Sequence, residues 1–65
     1  MATVNGKEVD FIEGEILSSL LSRTGFSDSR IAVEINGRIL PKAKHGEYVV
    51  EKDDRIEVVG LVGGG

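Results

Sequence analysis

Ile31-Ala32-Val33-Glu34-Ile35-Asn36-Gly37-Arg38-Ile39-Leu40-Pro41-Lys42 is the stretch whose reading decides the fold. Ile31, Val33 and Ile35 alternate with Ala32 and Glu34, the two-residue period of a strand with one buried face. Asn36-Gly37 follows at once. Both residues tolerate positive φ, which the two-residue type I′ hairpin turn requires, so Ile31–Ile35 is predicted to fold back onto Arg38-Ile39-Leu40. Pro41 cannot donate to a ladder and ends the second strand.

The same turn chemistry recurs at Asn5-Gly6, where it predicts a first hairpin joining Thr3-Val4 to Val9-Asp10-Phe11-Ile12. Between the hairpins the period changes. Ile16, Leu17, Leu20 and Leu21 fall within about 140° of one another on a helical wheel, with Ser18, Ser19, Ser22 and Arg23 on the other side. One amphipathic helix is therefore expected from Glu15 to Thr24. Gly25 is placed to serve as its left-handed C′ residue, and Arg23 sits where a cation suits the helix dipole. Ile16 offers no capping oxygen, which leaves Gly14 or Glu15 to begin the helix.

Downstream of Pro41, Lys42 to Gly46 is too poor in apolar residues for more than a loop or single turn, and Tyr48-Val49-Val50 returns to the core. Glu51-Lys52-Asp53-Asp54 reads as a turn before a last strand, Arg55 to Val59. The element order is ββαβ(β)β, in the α+β class: a small mixed sheet, one main helix across one face, and the last strand central or nearly so. The expected organisation is a folded domain over residues 1–59 and a flexible glycine-rich tail over 60–65.

At 65 residues, with 40% hydrophobic and 29% charged residues, the chain suits one small ordered core and no large enclosed active site. Its net charge of −3 gives no general attraction to nucleic-acid phosphates or anionic lipid. With no cysteine there is neither a disulfide nor a thiolate site. No segment reads as a secretory signal or a membrane span, so the cytoplasm is the expected location.

Familiar catalytic constellations are missing. Ser18, Ser19, Ser22, Ser27 and Ser29 supply hydroxyls, yet His45 is the sole imidazole and reads as a solvated loop residue. Glu47, Glu51, Asp53 and Asp54 lack the spacing that wraps calcium and read as a solvated turn, and no metal site is expected. What stands out is the end of the chain, Gly60-Leu61-Val62-Gly63-Gly64-Gly65. A phosphate-binding glycine loop needs a following helix, and none follows here. The candidate functional atom is the Gly65 carboxylate, carried on a narrow backbone that passes a constricted channel without side-chain conflict. Leu61 and Val62 would fill pockets of a partner, each contributing about 1.5–3 kcal/mol if fully buried. Ordering six tail residues costs on the order of 6–12 kcal/mol, so docking also needs strand-like backbone hydrogen bonds.

These residues together resemble a known family. Val4-Asn5-Gly6, Glu13-Gly14 before Leu20-Leu21, Ile35-Asn36-Gly37-Arg38-Ile39-Leu40-Pro41-Lys42, Asp54-Arg55-Ile56-Glu57-Val58-Val59 and Val62-Gly63-Gly64-Gly65 are similar to the ThiS sulfur carriers of thiamine biosynthesis. Those carriers are ubiquitin-like β-grasp proteins. The chain departs from the family pattern at Ile16, where Thr or Ser is frequent, at His45, where an aromatic is frequent, and at Asp53-Asp54, where Gly-Asp is usual.

The resemblance implies a protein co-substrate and not an enzyme, monomeric when free. An E1-like adenylyltransferase of the ThiF type would use ATP to adenylate Gly65; no cofactor would be bound by the carrier itself. A sulfurtransferase relay would leave a Gly65 thiocarboxylate, which donates sulfur to the thiazole under a thiazole synthase of the ThiG type. Leu61, Val62, Gly63 and Gly64 would be threaded into the partners. Alternatives with the same chemistry are carriers for molybdopterin, cysteine or methionine synthesis. A different class, a β-grasp binding module of the TGS type, is similar around Asp54-Arg55-Ile56-Glu57-Val58.

Overall fold

The computed structural model describes residues 1–26 and 30–60. Ser27, Ser29 and the tail residues Leu61, Val62, Gly63, Gly64 and Gly65 lie outside the described residues. In chain order the elements are β1 (Thr3–Val4), β2 (Lys7–Glu8), α1 (Leu17–Arg23), β3 (Ile31–Ile35), β4 (Arg38–Leu40), a 3-10 turn (Lys42–Lys44) and β5 (Arg55–Gly60). Among the described residues the five strands form one sheet in the order β2-β1-β5-β3-β4, with β5 central as its sequence position predicts.

Both Asn-Gly pairs make the expected turns. Asn5 and Gly6 have φ of 51° and 83°, and Asn36 and Gly37 have 53° and 86°. The second hairpin has the expected register, Ile35 opposite Arg38 and Val33 opposite Leu40. The first differs from expectation. Val4 pairs with Lys7 and Thr3 with Glu8, because a two-residue turn leaves its immediate neighbours opposed. Val9 still donates its N–H to the Ala2 carbonyl at 3.1 Å, but Phe11 and Ile12 stand outside the sheet, 40% and 50% exposed.

The helix spans seven residues, too few to persist without packing. Leu17, Leu20 and Leu21 are buried and join Val4, Val33, Ile35, Val50, Ile56 and Val58 in one core between helix and sheet. At the C-terminal end, Gly25 adopts φ of 99°. The Phe26 N–H reaches the Leu21 carbonyl at 2.7 Å and the Gly25 N–H reaches Ser22 at 3.2 Å, which is the Schellman closure.

The N-terminal end corrects the expectation. The capping position is Ile16, and no side chain caps it. Leu17 and Ser18 instead donate their free N–H groups to the carbonyls of Tyr48 and His45, at 2.8 and 3.0 Å. An antiparallel bridge between Ile16 and Val49, with the Val50 N–H on the Glu15 carbonyl at 2.9 Å, brings that segment alongside. The orphan donors of the first turn are thus satisfied by backbone from about thirty residues away.

Two further expectations are corrected. His45 is 9% exposed, not solvated: its carbonyl caps the helix and its Nε2 lies 3.3 Å from the Leu40 carbonyl. Asp54 is 4% exposed, although its neighbour Asp53 stands in solvent.

Candidate functional site

The candidate site is the exit of the chain from the sheet at the end of β5. In β5, Ile56 and Val58 point into the core, while Arg55 and Val59 face outward. Neighbours on both sides explain why this strand is central. Ile56 lies opposite Ile35 on β3, in the antiparallel ladder that runs on to Ile31 opposite Gly60. On the other side Ile56 lies opposite Val4 in a parallel pair. The ladder therefore carries β5 one residue past Val59, the end expected from the sequence. The chain leaves the described structure from a hydrogen-bonded strand in the middle of the sheet.

The two turn asparagines hold this strand with their side chains. At its start, the Arg55 N–H donates to Asn36 Oδ1 at 2.8 Å, and the Asn36 N–H donates to the Arg55 carbonyl at 2.8 Å. Near its end, the Val58 N–H donates to Asn5 Oδ1 at 2.7 Å, and Asn5 Nδ2 donates to the Val58 carbonyl at 3.2 Å. Sequence reasoning used these asparagines only for their tolerance of positive φ. The missed signal is the amide itself: glycine or aspartate also makes this turn, but neither offers a donor and an acceptor together.

Beneath the start of β5 lies a polar knot around Asp54. Its Oδ2 accepts from the Tyr48 hydroxyl at 2.6 Å and from the Glu51 N–H at 2.8 Å, and its Oδ1 accepts from Asn36 Nδ2 at 2.9 Å. Burial first, and then the hydrogen bond to Asp54, push the Tyr48 phenol well above its ordinary range. Another knot ties the helix to the loop before it. Arg23 donates to Glu15 through Nε at 2.8 Å and Nη2 at 2.9 Å, and Nη2 also reaches the Asp10 carbonyl. The Arg23 hydrogen bonds hold the Glu15 carboxyl below the usual carboxylate range, against the opposing effect of burial.

Neither knot resembles a reaction centre. Every buried side-chain nitrogen and oxygen among the described residues has a hydrogen-bond partner. The Ser19 hydroxyl goes to Glu15 at 3.2 Å, and the His45 ring to a backbone carbonyl, so the structure does not bring them together as nucleophile and base. No cluster of three or more metal-ligating side chains occurs among the described residues, and no helix there is long and apolar enough to cross a membrane. The outward sheet face beside the exit carries exposed Val59 and Ile39, 60% and 75% accessible, with Glu34 opposite Glu57. Such a mixed apolar and acidic surface suits contact with a protein that offers apolar and basic groups.

Known proteins converge on one family. A model described as the ThiS family matches residues 2–65. The chain is 37% identical over 62 residues to a thiazole synthase of Magnetococcus marinus, and 34% identical over 62 residues to one of Paramagnetospirillum magneticum. In both cases the match covers 95% of this chain but spans only 19% of the relative's length. The chain is also 34% identical to the uncharacterized protein ycf40 of Porphyra purpurea, over 95% of this chain and 87% of that protein. Among solved structures, the crystal structure of the thiamine biosynthesis protein ThiS from Geobacter metallireducens superposes with a TM-score of 0.78. Identity there is 33%, and coverage is 98% of this chain and 97% of that one. The solution structure of a thiamine biosynthesis protein from the same organism gives 0.74. With a mixed sheet, a single helix across it in the described residues and a family match over nearly its whole length, the chain is a ubiquitin-like β-grasp protein and belongs to the ThiS family.

Proposed function

We propose that this chain is a sulfur carrier for thiazole formation in thiamine biosynthesis, a protein co-substrate and not an enzyme. The observation that supports this most is the reach of the family match, which continues past β5 through Gly63, Gly64 and Gly65. A carboxylate is a poor electrophile because its charge is delocalised over two oxygens and neither leaves readily. An E1-like adenylyltransferase of the ThiF type solves this with ATP: a Gly65 oxygen attacks the α-phosphate, pyrophosphate departs, and the mixed anhydride formed has AMP as its leaving group. The outer sulfur of a persulfide on the sulfurtransferase relay then attacks the carbonyl and displaces AMP. A second thiol cleaves the acyl disulfide so formed and leaves as a disulfide with the relay, and the Gly65 thiocarboxylate released gives its sulfur to the thiazole ring.

The thiazole synthases among the relatives support a ThiG-type acceptor. The β5 geometry fits the role, since a partner meets Gly60, paired with Ile31 on β3, and the apolar Leu61 and Val62 that follow it in the sequence. Gly63 and Gly64 then pass through the partner's channel without side chains, and carrier and partners share the cytoplasm. Appending one alanine after Gly65 tests the reading. Sulfur transfer to the thiazole should be lost while folding is unchanged, and a variant that still supports it overturns the proposal.

A further inference from the structure

From the two-point contact of Asn5 with Val58, we propose that Asn5 is a positioning residue that sets the trajectory of the tail out of the sheet. The inference rests on the carrier reading above. In an antiparallel ladder the peptide groups of successive residues point to alternate sides. Asn36 meets Arg55 on the β3 side, so Glu57 and Val59 also face β3, whereas Ile56, Val58 and Gly60 face β1. But β1 ends at Val4, opposite Ile56, and the chain turns away at Asn5-Gly6. From Val58 onward the β1 side of the central strand has no strand partner among the described residues. The Asn5 amide takes that place. It satisfies both peptide groups of Val58 and acts as one more rung of the missing strand, three residues before Leu61.

Without that rung, Val58, Val59 and Gly60 are held from the β3 side alone, and a partner must order the end of the strand on docking. Ordering about one extra residue lowers kcat/KM for adenylation roughly 5–30-fold. The loss falls on KM, because the ordering takes place on docking and not in the bond-forming step. Asn36 provides the internal control: its amide grips the other end of the same strand, far along the chain from the exit.

Asn5→Gly keeps the positive φ the turn needs and removes the amide. Asn5→Asp keeps the acceptor for the Val58 N–H but sets a carboxylate oxygen against the Val58 carbonyl. Asn36→Gly removes the opposite grip. Each full-length variant is compared with wild type in ATP-dependent pyrophosphate release with a ThiF-type adenylyltransferase, and by amide hydrogen exchange. The expected result is a raised KM for Asn5→Gly and Asn5→Asp with kcat near wild type, faster exchange at Val58 and Val59, and unchanged KM for Asn36→Gly. Equal effects from the Asn5 and Asn36 variants would reduce Asn5 to a stability role and overturn the inference, as would a wild-type KM in both Asn5 variants. A wild-type chain that releases no pyrophosphate removes the carrier reading and this inference with it. Unchanged exchange at Val58 and Val59 in Asn5→Gly overturns the inference alone.

Discussion

Replacing Asp54 by alanine should cost this domain a large share of its stability. The carboxylate is 4% exposed and accepts from the Tyr48 hydroxyl, the Glu51 N–H and Asn36 Nδ2 at 2.6, 2.8 and 2.9 Å. A hydrogen bond to a charged acceptor contributes about 1.5–3 kcal/mol. Asn36 and Glu51 lie near solvent and recover part of their loss from water, whereas the half-buried Tyr48 hydroxyl recovers less. The three contacts therefore sum to about 3–4 kcal/mol. A 65-residue domain has roughly 3–10 kcal/mol of folding stability in total, so the variant approaches the unfolding threshold. Urea denaturation followed by far-ultraviolet circular dichroism reads this directly. With a slope near 1 kcal/mol/M, the midpoint should fall by about 3 M. Asp54→Asn, which keeps the shape but replaces one acceptor by a donor, should fall between alanine and wild type. A loss under about 1 kcal/mol for Asp54→Ala would refute the reasoning, since the knot would then contribute no more than an exposed turn.

Tyr48 gives a prediction at alkaline pH. Its phenol is raised above the ordinary value of 10.0, so folding favours the neutral form. That contribution is complete below about pH 10 and is lost as pH rises from there toward the folded-state value. Urea midpoints should drop above about pH 10 in wild type and stay flatter in Tyr48→Phe; parallel profiles would exclude the phenol as the cause. Glu15 gives the acid counterpart. Its carboxyl is held below the ordinary value of 4.5 by the Arg23 hydrogen bonds, so its contribution is present above about pH 4.5 and disappears as pH falls through the lower folded value. Glu15→Gln should cost about 1–3 kcal/mol at pH 7 and little at pH 2, measured by thermal unfolding at both. In the tail, Leu61→Asp should leave the urea midpoint unchanged and yet resist adenylation, because a charge seated in an apolar partner groove is costly; wild-type adenylation kinetics in that variant would contradict threading.

What the sequence revealed and what it hid divide along a physical line. The hairpins were legible because Asn5-Gly6 and Asn36-Gly37 encode positive φ locally, and the helix face and its Gly25 stop were legible for the same reason. That β5 lies at or near the middle of the sheet followed from the economical packing of one helix on one small mixed sheet. The helix start was not legible. Its donors find the Tyr48 and His45 carbonyls, and no local pattern around Ile16 announces partners so far along the chain. The burial of His45 and Asp54 was hidden likewise, because the composition of their segment is that of a loop while their contacts reach Leu40, Tyr48 and Asn36. The second strand takes Lys7 and Glu8 and not the apolar Val9 to Ile12, because a two-residue turn opposes its immediate neighbours whatever their polarity. For the candidate site, the tail residues lie outside the described structure, and the Asn5 amide that grips the strand before them was not legible in the sequence.

The most direct test of the central claim is the intact mass of the protein isolated from cells that also produce its adenylyltransferase and sulfurtransferase partners, with fragmentation to locate any change. Gly65 alone should carry the increment for exchanging one oxygen for sulfur. A Gly65 that remains an ordinary carboxylate with ATP and those partners supplied would contradict that claim.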